Sequence, residues 1–357
     1  MKAAQYLSPF ALGFFLLNIC FLSTNCVKEN NLYLNGAPIK VVAASLTDTL
    51  KISSCSPQFS GVTEIHFVDD GKLMLSYADS DTLLRLYDIS ENRILNVAYS
   101  EMENDAYELV SISNVRHEGS KLLIDAFTIP YAITTFDYYN ILSGIQPYCV
   151  KKTSFELFAP WSIAETRYAF SDNGSFVTEQ YNEGRKIIRL SDSCGVFMRN
   201  IPLYDEHPYK NSDWNHLLLM YPDGGKFVLL MCFLDKINYL DIKSVSGFTV
   251  TTENKPMSDI TVSRRYKRIT PLEQPCYYYA GCVTYKYVYT LYASSNSLQK
   301  VVNGCHIPVL RVFSWDGALV AEYVLNSSLL DIAVDEDKHI LYGLTYDNHI
   351  YSYLLTL

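Results

Sequence analysis

The chain has 357 residues, of which 49% are hydrophobic and 14% aromatic, and its formal net charge is −9. An acidic protein has no global positive field to attract nucleic acid, so nucleic-acid binding is excluded as its general function. The apolar content can fill one large core, and no Pro/Gly/Ser-rich or charged linker divides the chain, which predicts a single main domain.

The first 25 residues have the pattern of an export signal. Lys2 is their only charged residue, and it precedes an apolar stretch over 10–22 that Gly13 interrupts. This stretch is shorter than the ~20 apolar residues of a membrane-spanning helix. We therefore predict that residues 1–25 are a cleaved signal peptide.

The signal ends at Leu22-Ser23-Thr24-Asn25-Cys26, which resembles the lipobox of bacterial lipoproteins. The resemblance implies that Cys26 is acylated after cleavage and that residues 26–35 tether the protein to a membrane. The charged segment 27–31 resembles the signal that sends Bacteroidetes lipoproteins to the surface of the outer membrane. Asn25 departs from the small residue usual before the cysteine, so a plain secreted or anchored chain remains the alternative.

The remaining chain repeats one pattern six times: an apolar segment, a polar turn, a second apolar segment, a gap, and a third segment that ends near an aspartate. The first turns of the six units fall at intervals of 48–61 residues, at Gly71, Gly119, Gly174, Gly224, Tyr285 and Asp337. Short strands repeated at such a period predict a β-propeller. We therefore expect residues 36–357 to form six blades of four antiparallel strands each.

The first unit is predicted to contain strands at 62–68, 72–77, 83–89 and 94–99. The next four units are expected at 109–152, 165–203, 215–253 and 277–325. The sixth has three strands, near 329–335, 339–345 and 349–355. We expect an N-terminal strand to complete this last blade, and segment 37–42 is the candidate, because pairing the two chain ends removes exposed strand edges.

Three C-terminal segments resemble the TolB-like six-bladed propeller lipoproteins of Bacteroides and its relatives, a largely uncharacterised family. They are KYVYTLY at 286–292, VFSWDG at 312–317 and IAVDE at 332–336. The resemblance covers essentially the mature chain and implies the fold without supplying chemistry. In it, Trp315-Asp316-Gly317 is expected to be a strand end and turn.

Antiparallel blades place their loops on two faces. We call the face with the first-to-second and third-to-fourth turns the turn face, and the other, with the second-to-third loops and the inter-blade connections, the connection face. The long segments 100–108, 153–164, 204–214, 254–276 and 294–306 are all expected on the connection face. Long loops on a rigid scaffold are where binding usually resides, so this face is the predicted ligand site.

The concentrated positive charge of this acidic chain lies at Arg264, Arg265, Lys267 and Arg268. Arginine suits the carboxylate, sulfate or phosphate of an anionic glycan or lipid headgroup, although a solvated or salt-bridged loop would have the same composition. Trp161 and Trp214 could stack on sugar rings, or could instead pack between neighbouring blades.

A metal site has weaker support. Asp205, His207, Asp213 and His216 have suitable ligand types, but their spacing matches no recognised zinc motif. The acidic segment 101–108 lacks the spacing of an EF-hand and fits a solvated loop. No cofactor is expected.

Nine cysteines are present, and seven remain after Cys20 and Cys26 are set aside. No C-x-x-C pair occurs, so a disulfide framework is not predicted. Cys149, Cys194 and Cys232 lie in or beside apolar segments and are expected to be buried. A single bridge of Cys276 with Cys282, or of either with Cys305, remains open.

The chain contains no G-x-S-x-G, H-E-x-x-H, P-loop or Rossmann motif. The leading interpretation is therefore a non-enzymatic outer-membrane lipoprotein, exposed at the surface or in the periplasm, that binds a glycan, peptide or partner protein. A metal-dependent hydrolase or lyase, with its site at the central channel, is the first alternative. A structural subunit of an envelope complex is the second.

Overall fold

The computed structural model describes residues 38–43, 48–69, 71–77, 82–99, 108–118, 121–129, 132–143, 149–154, 168–182, 185–202, 216–252, 275–294 and 296–357. Three short strands come first: β1 (Ile39–Val41), β2 (Asp48–Thr49) and β3 (Ile52–Cys55). No helix among the described residues is long and apolar enough to cross a membrane.

Six sheets follow in chain order. Sheet 1 contains β4 (Val62–Asp69), β5 (Lys72–Tyr77), β6 (Thr82–Asp88) and β7 (Arg93–Tyr99). Sheet 2 contains β8 (Glu108–Glu118), β9 (Lys121–Ile129), β10 (Ala132–Asp137), helix α1 (Tyr138–Ser143) and β11 (Cys149–Ser154). Sheet 3 contains β12 (Tyr168–Phe170), β13 (Phe176–Asn182), β14 (Arg185–Ser191) and β15 (Phe197–Pro202).

The C-terminal sheets have the same plan. Sheet 4 contains β16 (His216–Met220), β17 (Lys226–Met231), β18 (Ile237–Asp241) and β19 (Ser246–Thr251). Sheet 5 contains β20 (Tyr278–Val283), β21 (Tyr287–Tyr292), helix α2 (Leu298–Val302), β22 (Val309–Ser314) and β23 (Leu319–Val324). Sheet 6 contains β24 (Leu329–Asp335), β25 (Ile340–Thr345) and β26 (Ile350–Leu354).

The first strands of the sheets contact one another in a closed cycle, in the order β4, β8, β12, β16, β20, β24 and back to β4. Within each sheet, consecutive strands pair antiparallel. This arrangement confirms an all-β propeller with four-stranded antiparallel blades. The strand bounds predicted for the first unit each agree with the structure to within one residue.

The N-terminus does complete the last sheet, but with a different segment from the one we expected. β3 pairs antiparallel with β26, through Ser54 opposite Ser352. The predicted segment 37–42 contains β1, which instead lies parallel to β19 on the outside of sheet 4. β2 adds in the same way to β23 of sheet 5. Because β3 directly precedes β4, a short connection suffices, whereas 37–42 is separated from sheet 1 by two further strands.

The core lies between neighbouring sheets. The second strands β17 and β21 read KFVLLM and YVYTLY without alternation, because nearly every side chain in them is buried. Their apolar side chains meet those of the adjacent sheets in continuous clusters, one of which joins sheets 4 and 5 and another sheets 5 and 6. Burial on both sides explains why these strands lack the period-two pattern of a half-exposed strand.

The predicted glycine turns on the turn face have the backbone that requires them. Gly71, Gly174 and Gly224 have φ values of 75°, 80° and 79°, in the left-handed region that favours glycine. Gly317, in the predicted Trp-Asp-Gly turn, has φ 83°, and a Cβ there would lie 2.5 Å from the Phe248 ring. That turn therefore needs glycine both for its conformation and for its close approach to sheet 4.

Candidate functional site

The connection between sheets 4 and 5 carries the predicted arginine cluster. Arg264, Arg265, Lys267 and Arg268 lie outside the described residues, but both ends of the connection are described. At its start, the Thr252 backbone N–H donates to Asp235 Oδ2 at 3.0 Å. At its end, the Tyr277 N–H donates to the Cys232 carbonyl at 2.8 Å. The β17–β18 loop, residues 232–236, thus holds both ends of this connection on the predicted connection face.

A buried charged network, which we call the Arg311 seam, fixes that loop. Arg311 Nε donates to Glu322 Oε1 at 2.8 Å, and its Nη1 lies 3.4 Å from Asp235 Oδ1. The Tyr278 hydroxyl donates to the same Asp235 oxygen at 2.7 Å and accepts from Arg311 Nη1 at 3.2 Å. The guanidinium also stacks on the Tyr292 ring, 3.3 Å from its centroid.

The electrostatics of the Arg311 seam favour a structural role. Burial alone would lower the pKa of Arg311, but Tyr278, Glu322 and Asp235 outweigh it and raise that pKa. The Arg311, Asp235 and Glu322 side chains are all less than 10% exposed. Because the guanidinium is buried and its donors are engaged by these groups, it is not available to a ligand. The seam therefore positions the connection without taking part in binding.

A second charged group, the His66 seam, lies where sheet 1 meets sheet 6. Glu64 and His66 lie on β4, and Asp331 lies on β24, both of which are first strands. In a propeller these strands line the central channel. The Ile65 N–H donates to Asp331 Oδ2 at 2.9 Å, so the two sheets are joined directly.

The His66 seam is less completely paired than the Arg311 seam. His66 Nε2 is buried and has no hydrogen-bond partner, although the His66 side chain as a whole remains 28% exposed. The nearest Glu64 carboxylate oxygen is 3.7 Å from Nε2, which is the range of an ion pair rather than of a hydrogen bond. The imidazole therefore lies close to a carboxylate without being locked to it.

Both titrating groups of the seam are shifted toward neutrality. Burial raises the pKa of Asp331 to about 6, and the neighbouring Glu64 charge adds to this effect. For His66, burial favours a lower pKa, but Glu64 and Asp331 outweigh it and raise the pKa above its ordinary 6.5. A carboxyl and an imidazole that both exchange protons near neutral pH have the character of an acid/base pair.

The other predicted site residues remain untested by the geometry. Trp161, Trp214, Asp205, His207, Asp213 and Cys26 lie outside the described residues, and His216 is the first residue of β16. In the described part of the chain, no group of three His, Cys, Asp or Glu side chains could hold a metal ion. The predicted burial of Cys232 is confirmed, whereas Cys194 is exposed because it lies in the turn before β15.

Sequence reasoning missed both seams. The available signals were single charged residues inside apolar strands, such as Arg311 in VLRVFS and Asp331 in LLDIAVD. A buried charge needs a partner, so each of these residues predicts one. Their partners lie 76 residues away for Arg311 with Asp235 and 266 for Asp331 with Ile65. A linear pattern cannot identify them.

No family model matches the sequence, and no curated protein does. Among solved structures, a chain of "Crystal Structure of Mitotic Checkpoint Complex" is similar, with a TM-score of 0.48 and 8% identity over 88% of this chain and 94% of that chain. The propeller assignment therefore depends on the strand pairing of the protein itself.

Proposed function

We propose that this protein is an exported lipoprotein, acylated at Cys26, whose propeller binds a glycan, peptide or partner protein on the connection face without catalysing a reaction. We also propose that its six sheets are the six blades of a TolB-like propeller of the kind found in Bacteroides and its relatives. The closed cycle of first strands supports the blade count.

One observation carries the binding proposal: a single buried loop holds both ends of the connection between sheets 4 and 5. Thr252 bonds to Asp235, and Tyr277 bonds to Cys232. A scaffold that fixes the ends of a long segment lowers the entropy lost when that segment binds. The segment between them carries Arg264, Arg265, Lys267 and Arg268, which suit an anionic ligand.

The test is binding to an array of acidic glycans and anionic envelope lipids. Replacing Arg264 and Arg265 with Ala should weaken binding by about 1–3 kcal/mol for each charged hydrogen bond lost, and added salt should have the same effect. The matched control is Arg93→Ala with Lys286→Ala, because both residues are exposed on the turn face. Equal binding by the test variant and the wild type would contradict the proposal.

The lipid anchor has its own measurement. Intact-mass analysis of membrane-extracted protein should show a chain that begins at Cys26 and carries a diacylglyceryl group. A soluble product of unmodified mass, made with the native signal, would reject acylation. This outcome does not depend on the ligand.

A channel enzyme is the second candidate, and the His66 seam is the observation that favours it. Its acid/base pair lies on first strands, where a hydrolase or lyase of the propeller type would place its reacting groups. A tightly bound metal in the purified protein, or turnover of a polysaccharide that Asp331→Asn abolishes, would support this reading over the binding one. Co-purification with an envelope protein would instead favour a structural subunit.

A further inference from the structure

Two buried cysteines lie beside each other at the boundary of sheets 4 and 5. Cys232 follows β17, and Cys276 precedes β20. The Tyr277 N–H donates to the Cys232 carbonyl at 2.8 Å, and the Tyr278 hydroxyl donates to Asp235 Oδ1 at 2.7 Å. These two bonds run segment 276–278 alongside segment 232–235.

The spacing is compatible with a disulfide. Cys276 is bonded directly to Tyr277, so the 2.8 Å link to Cys232 puts the two Cα atoms roughly 5–7.5 Å apart. Disulfides join Cα atoms about 4.4–6.8 Å apart. Burial raises the pKa of Cys276 to about 12, and the proximity of Cys232 adds to the shift. In the structure both side chains are thiols.

The backbone around both cysteines is already held in place. The Cys276 N–H donates to the Asn296 carbonyl at 2.7 Å, and the Met231 N–H, next to Cys232, donates to the Lys236 carbonyl at 3.0 Å. Anchored backbones restrict the two Cβ atoms to a narrow range of separations. A bridge would therefore form with little rearrangement, or not at all.

The other described cysteines are less suitable partners. Cys55, Cys194 and Cys305 are exposed. Cys282 is influenced by Asp331, at the boundary with sheet 6, and burial followed by that charge raises the pKa of its thiol. The bridges of Cys276 to Cys282 or Cys305 that the sequence left open thus have less structural support than one to Cys232.

We propose that Cys232 and Cys276 form a disulfide in the mature protein, closing a covalent loop around the connection between sheets 4 and 5. The inference relies on the export in the proposed function, because an oxidising compartment supplies the oxidant. The two thiols lose two protons and two electrons. The disulfide of a protein dithiol oxidase, or of a small molecule such as oxidised glutathione, accepts them and becomes two thiols.

The bridge would strengthen the feature that carries the binding proposal. It would join the β17–β18 loop covalently to the end of the connection, where the structure shows one backbone hydrogen bond. Since the closed loop contains residues 253–274, the cross-link would restrict the unfolded chain over that whole segment.

The test uses the purified full chain. The protein is incubated with oxidised glutathione, denatured with iodoacetamide and digested without reduction. We expect one cross-linked pair of peptides, containing Cys232 and Cys276, lighter by two hydrogens than the reduced peptides together. Alkylation of both thiols, or a link from Cys276 to Cys282 or Cys305, would overturn the proposal. Because the oxidant is added in vitro, failure here would leave the export and binding proposals to their own tests.

Variants provide a second readout. Oxidation should raise the thermal unfolding midpoint of the wild type by several degrees, and should raise that of the exposed-site control Cys305→Ala equally. It should leave the midpoints of Cys232→Ala and Cys276→Ala unchanged, whatever their absolute stability. An oxidant-dependent rise in either buried-site variant would also reject the bridge.

Discussion

The two charged seams solve the same problem differently. The Arg311 seam joins sheets 4 and 5, which are adjacent in sequence, and surrounds its guanidinium with Glu322, Asp235, two tyrosines and a threonine. The His66 seam joins sheets 6 and 1, the two ends of the chain, and leaves its imidazole 3.7 Å from the nearest carboxylate.

This difference separates a structural site from a responsive one. A buried charge that is fully paired remains charged over the whole physiological range of pH, as the raised pKa of Arg311 shows. A buried carboxyl with little compensation shifts toward neutrality, as Asp331 does. We therefore expect the Arg311 seam to respond to mutation and the His66 seam to respond to pH.

The largest expected effect concerns β3, which completes sheet 6 and so supports the His66 seam. Deleting residues 1–55 removes β3 and exposes the edge of β26, which should cost several kcal/mol and cause aggregation. Deleting residues 1–43 removes only β1 from the outside of sheet 4 and should be milder. Soluble yield and urea unfolding measure both. Equal losses would show that β3 has no special role in closure.

Arg311→Met should have the next largest effect. It leaves the Asp235 and Glu322 carboxylates buried without their cation, and breaking a buried pair in this way costs about 3–5 kcal/mol. The measurement is the free energy of unfolding in urea. Arg93→Met is the matched control, since Arg93 forms an exposed ion pair with Glu91 that should contribute about 0–1 kcal/mol. Similar losses in the two variants would remove the distinction between the seams.

Asp331→Asn tests the responsive seam. The pKa of Asp331 is raised to about 6 from 3.8, so folding favours its protonated form. The stability that this group contributes is therefore present below about pH 4, declines as pH rises toward 6 and is absent above. The variant should match the wild type at pH 4 and be more stable by about 1–2 kcal/mol at pH 8, since asparagine can still accept the Ile65 N–H.

The pH dependence of the difference between the two proteins is the decisive quantity, because other groups affect both equally. Urea unfolding at pH 4, 5, 6, 7 and 8 supplies it. Asp337→Asn, at an exposed turn position of the same sheet, should change stability by at most ~0.5 kcal/mol. A variant that is destabilised at every pH would mean that the carboxylate charge itself holds the seam together.

The repeat in the sequence was sufficient to predict the fold, because each blade forms its own turns and strands from local residues. The turn at Gly71 and the strand bounds of sheet 1 depend on nothing outside that sheet. The closing strand was predicted less well, because 37–42 and 52–55 are both suitable edge strands and only the connection length to β4 distinguishes them. Predictions that needed local chemistry alone therefore succeeded.

The seams could not be predicted, because each depends on two residues brought together only when neighbouring sheets pack. Arg311 and Asp331 are visible in the sequence as charges in apolar strands, but their partners depend on which blades are neighbours and on the register of their first strands. The same limit applies to Cys276, whose neighbour in space is Cys232 rather than the nearer cysteines in sequence.

The smallest expected effect is on the titration of His66 itself. The structure implies that the pKa of His66 exceeds 6.5 because the Glu64 and Asp331 charges outweigh burial. NMR titration of the imidazole should find a midpoint above 6.5 in the wild type. Glu64→Gln removes the nearer carboxylate charge, so burial should then dominate and lower the midpoint. The stability that His66 contributes is present at low pH and lost as pH rises through its folded pKa, and this loss should shrink in the variant. The exposed His339, on the opposite side of sheet 6 from this seam in sequence, serves as the internal reference in the same spectra. An unchanged His66 midpoint in Glu64→Gln would mean that Glu64 does not set the charge of the seam, and the contrast with the fully paired Arg311 would then depend on Asp331 alone.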